Sequence, residues 1–142
     1  MNHHDYKINT VTWNQQEPAL REIRKQVFIQ EQAVPETLEW DGLDEDAIHL
    51  LAQDTTGLAI ATARLLKDGH IGRMAVKADW RRKGVGSAML QTLLNYCKQH
   101  QLTAFLDAQT QALQFYEKMG FITQGSEFMD AGIPHYRMIW SE

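Results

Sequence analysis

The sequence predicts one α/β domain over residues 1–142, built on a mixed sheet. Three observations lead to this fold class. The length of 142 residues is ordinary for one domain and is enough to bury a core without disulfides. Apolar residues recur at strand spacing and at helix spacing, in the order strand, helix, three strands, helix, strand, helix, two strands. The single cysteine, Cys97, excludes an intramolecular disulfide and a four-thiolate zinc site.

The N-terminal half holds four of the predicted strands. Apolar residues at strand spacing begin at Tyr6, and Pro18 with an acid before it is typical of a helix start. The turn Asp54-Thr55-Thr56-Gly57 favours a hairpin. In order, the predicted elements are a strand over 6–13, a helix from Glu17-Pro18, an irregular acidic segment over 35–46, and strands over 48–53, 58–66 and 71–76.

The C-terminal half alternates helices and strands. Met89, Leu93 and Cys97 share the apolar side of a helix that covers a sheet, so we expect Cys97 to pack in the core. Gly120 is placed to be the left-handed cap of a second helix. In order, a loop over 77–84 leads to a helix from Val85, a strand over 102–106, a helix over 111–119, and strands over 121–128 and 135–140.

Charge is unevenly distributed along the chain. The net charge of −4 argues against a nucleic-acid partner held by bulk charge. No Lys or Arg occurs between Lys25 and Arg64, whereas basic residues cluster from Arg64 to Lys83. An acidic segment followed by a basic one predicts two sites for ligands of different charge. Since the chain has neither a signal pattern nor an apolar run of membrane-spanning length, we expect a cytoplasmic protein with no membrane partner.

A basic segment with two glycines stands between a predicted strand and a predicted helix. Residues 81–87, Arg-Arg-Lys-Gly-Val-Gly-Ser, can turn tightly and expose backbone N–H groups at a helix start, which is a site for a phosphate or pyrophosphate. The chain has no Gly-Lys pair, so this is not a P-loop. Met89 stands where a dinucleotide fingerprint has its third small residue. The segment therefore predicts a phosphate cradle of another kind.

Two motifs give the chain a resemblance to a known family. The Arg-x-x-Gly-x-Gly pattern of residues 81–86 follows the strand end Arg73-Met74-Ala75-Val76 and resembles the acetyl-CoA signature of the GNAT N-acetyltransferases. Residues 115–121 match that family's Phe-Tyr-x-x-x-Gly-Phe segment. The resemblance implies the GNAT fold, a mixed and mostly antiparallel sheet of six to seven strands flanked by about four helices. Finer likenesses to the ElaA-like branch lie at residues 27–32, 106–109 and 132–135.

The resemblance implies where acetyl-CoA would be held, and the spacing of the histidines predicts no metal site. The pyrophosphate is expected on the backbone amides of the basic loop, and the pantetheine arm along the strand before it. A backbone N–H near Val76 is expected to hold the thioester oxygen. The six histidines, His3-His4 among them, show no metal-ligand spacing. The residues implied for acetyl-CoA are Met74, Ala75, Val76, Arg81, Arg82, Lys83, Gly84, Val85, Gly86, Ser87, Gln109 and Tyr116.

Candidate catalytic residues follow from the same resemblance. Tyr116 matches the family's general acid, because a phenol can protonate the CoA thiolate as it leaves. Glu31 and His135 are candidates for the base that takes the amine proton, directly or through water, and His49 is a weaker one. The residues expected to border the acceptor amine are Phe28, Glu31, Asp107 and His135.

The function that the sequence favours is an N-acetyltransferase, which moves an acetyl group from acetyl-CoA to a primary amine by direct attack in a ternary complex. The alternatives are an acyl-CoA-binding sensor without transfer activity and a nucleic-acid-binding module, which three adjacent cations support poorly. The acceptor is expected to be a small-molecule or peptide amine. Glu39, Asp41 and Asp44 of the acidic segment predict that it is cationic. A homodimer is compatible with the resemblance, and the identity of the acceptor stays open.

Overall fold

A seven-stranded mixed sheet forms the centre of the computed structural model, which describes residues 5–141. The pair His3-His4 lies outside the described residues. The strands are β1 (Tyr6–Val11), β2 (Ile48–Asp54), β3 (Ala59–Leu65), β4 (His70–Val76), β5 (Phe105–Gln109), β6 (Phe121–Asp130) and β7 (Ile133–Trp140). Their order across the sheet is β1-β2-β3-β4-β5-β7-β6, and neighbouring strands are antiparallel except β4 and β5, which are parallel.

Helices cover both faces of this sheet. They are α1 (Trp13–Arg24), α2 (Glu36–Glu39), α3 (Val85–Gln99) and α4 (Leu113–Lys118). Neighbouring side chains of a strand point to opposite faces, so Leu50 packs in the cluster of Met89 and Leu51 in the cluster of Leu20. Cys97 is fully buried in the α3 cluster. The fold class predicted from the sequence is confirmed. Within residues 5–141, each helix is too short or too polar to cross a bilayer.

The first helix begins four residues earlier than predicted. The Thr12 hydroxyl accepts a hydrogen bond from the Gln15 N–H (3.2 Å), and the Gln15 side chain accepts one from the Thr12 N–H (3.0 Å). This capping box starts α1 at Trp13, which was predicted to end the first strand. Pro18 lies inside the helix after a kink at Gln16 (φ −133°). The prediction was wrong because Thr12 caps the helix here, with its hydroxyl accepting the Gln15 N–H of the first turn.

A π-helix, Lys25–Glu31, continues α1. π-helical turns are rare in proteins, and those that do occur are often found at functional sites. The segment that follows was predicted to be irregular over 35–46, but it contains α2.

Boundaries in the C-terminal half shift by a few residues. β5 begins at Phe105 rather than at residue 102, because the Leu102 N–H donates to the Cys97 carbonyl (2.8 Å) at the end of α3. β6 and β7 extend to Ala131-Gly132, two residues in the left-handed region that form a tight hairpin turn. The helix predicted over 111–119 is a 3-10 turn, Thr110–Ala112, followed by α4.

The parallel pair β4 and β5 separates after two rungs. β4 pairs with β5 only through His70 and Ile71 in the described structure. On its other side β4 stays paired with β3 as far as Val76, across a bulge in which Arg73-Met74 oppose a single residue. The C-terminal part of β4 therefore has one free edge, which borders a V-shaped cleft.

Candidate active site

A cavity of about 300 Å³ lies in the cleft between β4 and β5. It brings together predicted residues that lie far apart in the sequence. Arg73 and His70 also line it, although the sequence did not single them out. Six predicted site residues border the cavity: Phe28, Met74, Asp107, Gln109, Tyr116 and His135. The other predicted residues lie outside its lining, namely Glu31, Ala75, Val76 and the loop over 81–87.

The loop before α3 presents backbone amides. The first intrahelical hydrogen bond runs from the Ala88 N–H to the Gly84 carbonyl (3.0 Å), so the N–H groups of residues 85–87 have no acceptor within the helix. Gly84 has φ +84°, a conformation that glycine adopts without steric cost, and it has no side chain to cap these amides. Free amides at a helix start can bind an anion. Two exposed cations of the loop stand beside them, Arg82 and Lys83.

Arg81 joins this loop to the end of β4 and to the π-helix. Its Nε donates to the Val76 carbonyl (2.8 Å), and its Nη2 donates to both carboxylate oxygens of Glu31 (2.8 and 2.9 Å). Both carboxylate oxygens of Glu31 thus accept hydrogen bonds from Arg81, and Glu31 lies outside the lining of the cavity. The predicted role of Glu31 as the base is therefore disfavoured by its surroundings.

Tyr116 lies on α4 between two phenylalanines. Its ring packs edge-to-face with Phe115 (5.0 Å) and Phe121 (5.9 Å). Burial raises the pKa of Tyr116 to about 12, so the hydroxyl keeps its proton throughout the neutral range. A Cβ added at Gly86 would lie 3.8 Å from Phe115 Cζ, which shows that the start of α3 lies close to α4. Gly120 ends α4 at φ +101°, as predicted.

His135 is the predicted histidine that borders the cavity. Its Nδ1 lies 2.7 Å from the Ile133 carbonyl oxygen. Since a carbonyl oxygen only accepts, we assign the proton to Nδ1, which leaves a lone pair on Nε2 of the neutral ring. His49, the weaker candidate, is buried outside the cavity lining, with Nε2 2.8 Å from the Asp44 carbonyl. Burial lowers the pKa of His49. Of the two histidines that the sequence singled out as candidate bases, His135 is therefore the one that borders the cavity.

Asp107 borders the cavity in an ion pair. Arg137 donates to both of its carboxylate oxygens, from Nε at 2.8 Å and from Nη2 at 3.1 Å. His70 Nε2 lies 3.7 Å from the same carboxylate, and the imidazole stacks on Phe105 with 4.7 Å between centroids. Because Arg137 balances its charge, Asp107 offers the acceptor hydrogen-bonding capacity rather than a free negative charge.

Three arginines and three acids alternate in a closed ring of ion pairs beside the cavity. Each arginine contacts two acids and each acid contacts two arginines, with N–O distances of 2.6 to 3.2 Å. The ring joins α1, the end of α2 and the segment after it, β3 and β4. In order around it, the members are Arg24, Glu39, Arg73, Asp41, Arg64 and Asp44.

This ring corrects the predicted role of the acidic segment. Glu39, Asp41 and Asp44 were expected to draw in a cationic amine, but the three positive charges of the ring balance them. Glu39 and Asp44 are also buried. Their role is to hold the segment against the sheet, since a buried charge is stable only when it is paired.

Comparison with known proteins relates this chain to acetyltransferases. A family model described as an acetyltransferase (GNAT) domain matches residues 5–142. The chain belongs to the GNAT acetyltransferase family. A Bacillus subtilis (strain 168) protein that bears an acetyltransferase name is 38% identical over 138 residues, which are 92% of this chain and 93% of the relative.

Two solved structures extend the likeness to three dimensions. Escherichia coli ElaA has a TM-score of 0.86 at 28% identity, covering 96% of this chain and 99% of ElaA. An acyl-CoA N-acyltransferase from Pseudomonas aeruginosa has a TM-score of 0.83 at 29% identity, with coverage of 96% and 99%. The predicted GNAT family and ElaA-like resemblance are confirmed, and the protein is an acyl-CoA-dependent acyltransferase.

The site of this GNAT protein fits an acyl-CoA. The arm of CoA carries amide groups, and the free edge of β4 offers backbone groups with which such a chain can pair. Its phosphates match the free amides at the start of α3.

Several cavity residues could not be singled out from the sequence. Arg73 interrupts the otherwise apolar pattern of β4. This interruption was the one local indication that Arg73 belongs to the site. His70, Gln32 and Asp130 have no such signal, because turn and loop positions with polar residues are common. They share the cavity because β4, the end of the π-helix and the β6–β7 hairpin meet at the cleft.

Proposed function

We propose that the protein moves an acetyl group from acetyl-CoA to a primary amine, which attacks the thioester directly in a ternary complex. The cavity between β4 and β5 carries this proposal, because it places Tyr116 and His135 beside the free edge of β4. Tyr116, as the proton donor for the leaving sulfur, and His135, as the proton acceptor for the amine, thus line the same cavity. No acyl-enzyme is needed, and the buried Cys97 lies in the α3 core.

Backbone groups of the chain would hold acetyl-CoA at two places, its pyrophosphate and its pantetheine arm. The N–H groups of Val85, Gly86 and Ser87 would bind the pyrophosphate, with the loop cations nearby. Met74 to Val76 would pair with the pantetheine arm. Gln109, whose side chain donates to Gln32 across the cavity wall (2.9 Å), would contact the end of the arm.

The Val76 N–H would hold the thioester oxygen. The next amide, that of Lys77, donates to the Ile60 carbonyl of β3 (2.9 Å). Successive N–H groups of an extended strand alternate in direction, so the Val76 N–H points away from β3 toward the cleft. There it would stabilise the negative charge that develops on the oxygen. Tyr116 would donate its hydroxyl proton to the sulfur as the carbon–sulfur bond breaks.

His135 would take the proton of the attacking amine at Nε2. Its hydrogen bond to the Ile133 carbonyl orients the ring and fixes the tautomer. Glu31, the other predicted candidate, would serve only if its pair with Arg81 opened. The carbon–nitrogen bond would form on the side of the thioester that faces the cavity, against Phe28 and Asp107.

The acceptor would carry a second positive charge. Among the acids that line the cavity, Glu39 and Asp107 are ion-paired, whereas Asp130 has no ion pair within residues 5–141. Asp130 ends β6 at the hairpin that overhangs the cavity, where its carboxylate would meet a cationic group of the acceptor. The homodimer and the cytoplasmic location stay predictions.

Release of CoA from acetyl-CoA tests the proposed function. The purified protein is titrated with acetyl-CoA by calorimetry and then supplied with a panel of primary amines, while free thiol is measured. We expect binding without an amine and thiol release with at least one amine in the panel. Binding without release across mono-, di- and polyamines, amino sugars and peptide amines would instead support the acyl-CoA sensor.

A further inference from the structure

Arg73 occupies a strained position at the point where the cleft opens. It has φ +48°, in the left-handed region that residues with a Cβ avoid. The same residue forms the bulge of β4, and the pairing with β5 ends two residues before it. A strand without this bulge would continue the ladder with β5 and close the edge that the proposed function needs.

The side chain of Arg73 is held by hydrogen bonds and ion pairs to residues 38–41. Its Nη2 donates to the carbonyls of Leu38 (3.2 Å) and Glu39 (3.1 Å) and to the Asp41 carboxylate (3.1 Å), and its Nε lies 3.2 Å from Glu39 Oε2. The remaining ring contacts hold those acids, because Arg24 binds Glu39 (2.8 Å) and Arg64 binds Asp41 (2.8 Å).

We propose that Arg73 is a positioning residue that holds the bulge of β4 against its own backbone strain, so that the edge from Met74 to Val76 stays free for acetyl-CoA. This inference rests on the proposed function for the ligand, but the state of the strand edge can be measured without it. The ion-pair ring then fixes the edge of β4 over residues 74–76 relative to α1 and β3.

Replacing Arg73 by alanine and by glycine separates the proposed positioning role from a direct effect of the side-chain charge. Arg73→Ala keeps the strain and loses the anchor, so the bulge relaxes toward regular pairing. Arg73→Gly loses the same anchor but adopts φ +48° freely, so the bulge persists. With strain of the usual size for such a residue, we expect acetyl-CoA affinity to fall about tenfold in Arg73→Ala and to stay within about threefold of wild type in Arg73→Gly.

Amide hydrogen exchange of Met74 and Val76 gives the readout without ligand. The amides of a free edge exchange fast, whereas a relaxed, re-paired edge protects them. We expect slower exchange in Arg73→Ala and wild-type exchange in Arg73→Gly, with Arg21→Gln as a control at an exposed ion pair. Unchanged exchange in Arg73→Ala would overturn the proposal. Equal loss of acetyl-CoA affinity in both variants would also overturn it, since the side-chain charge itself would then be the cause.

A milder variant covers the case in which Arg73→Ala does not fold. Asp41→Asn removes one anchor of Arg73 and leaves its backbone unchanged. We expect it to slow the exchange of the two amides in the wild-type background and to have no effect in Arg73→Gly. The same change in both backgrounds would overturn the proposal. If the wild-type protein neither bound acetyl-CoA nor released CoA, only the proposed function would fail, because the exchange data stand by themselves.

Discussion

Arg81 Nη2 lies 2.8 Å from one carboxylate oxygen of Glu31 and 2.9 Å from the other. This pair connects the loop expected to bind CoA with the helical segment beside the acceptor cavity. It also bears on the choice of base, because Glu31 and His135 were equal candidates from the sequence. The fold gives these two residues different surroundings, because Glu31 is paired with Arg81 whereas His135 borders the cavity.

Replacement of Glu31 by glutamine should leave catalysis nearly intact. An exposed ion pair contributes up to about 1 kcal/mol, so we expect kcat/KM to change by at most about fivefold. The acidic limb of the pH–rate profile should remain, because the base is retained. Glu17→Gln, which breaks the exposed pair with Arg21, is the matched control. A loss of the acidic limb in Glu31→Gln would identify Glu31 as the base.

Replacement of His135 by glutamine should remove the proton acceptor. We expect kcat/KM to fall by about 10² to 10⁴, the range typical of a general base. The acidic limb of the pH–rate profile should disappear together with the base. His100→Gln at the C-terminal cap of α3, outside the cavity, should behave as wild type. A variant that keeps both the limb and the rate would assign proton removal to water.

Replacement of Tyr116 by phenylalanine should lower kcat and spare acetyl-CoA binding. Loss of a general acid costs about 10² to 10⁴ in rate, and the ring still fills its place between Phe115 and Phe121. We expect the dissociation constant of acetyl-CoA to change by less than about twofold, which is under 0.5 kcal/mol. Tyr96→Phe on α3 provides the control for the same chemical change. Equal kcat in Tyr116→Phe and wild type would exclude this acid.

The pH dependence of the wild-type rate should lack an alkaline decline. The active form of Tyr116 is protonated, and burial raises its pKa to about 12. The fraction of active hydroxyl therefore falls only as the pH approaches 12, and kcat should stay level to about pH 10. A decline in kcat between pH 8 and pH 10 that is absent in Tyr116→Phe would contradict this.

Asp130 should select acceptors with a second cation. In Asp130→Asn, we expect KM for a diamine to rise about fivefold, whereas KM for the monoamine of equal length should not change; a partly exposed charge pair has this magnitude. Glu117→Gln on α4 removes an exposed charge elsewhere and serves as the control. Equal effects on both amines would remove Asp130 from acceptor recognition.

Local patterns in the sequence were enough to predict the order of most elements, the phosphate-binding loop and the family. These features are local, since strand and helix periodicity, glycine turns and motif spacing are read within a few residues. The tertiary structure decided which charges are free. Arg24, Arg64 and Arg73 lie apart in the sequence, and their pairing with Glu39, Asp41 and Asp44 depends on where α1, β3 and β4 place them.

The same physical reason separates the two predicted base candidates. Glu31 and His135 look alike as proton acceptors until their partners are known, and Arg81 and Ile133 are brought to them by the fold. The split of β4 from β5 depends on the bulge at Arg73, whose strain is balanced by contacts from another element. Residue types carry the chemistry, but long-range packing decides which of them meet in the cleft.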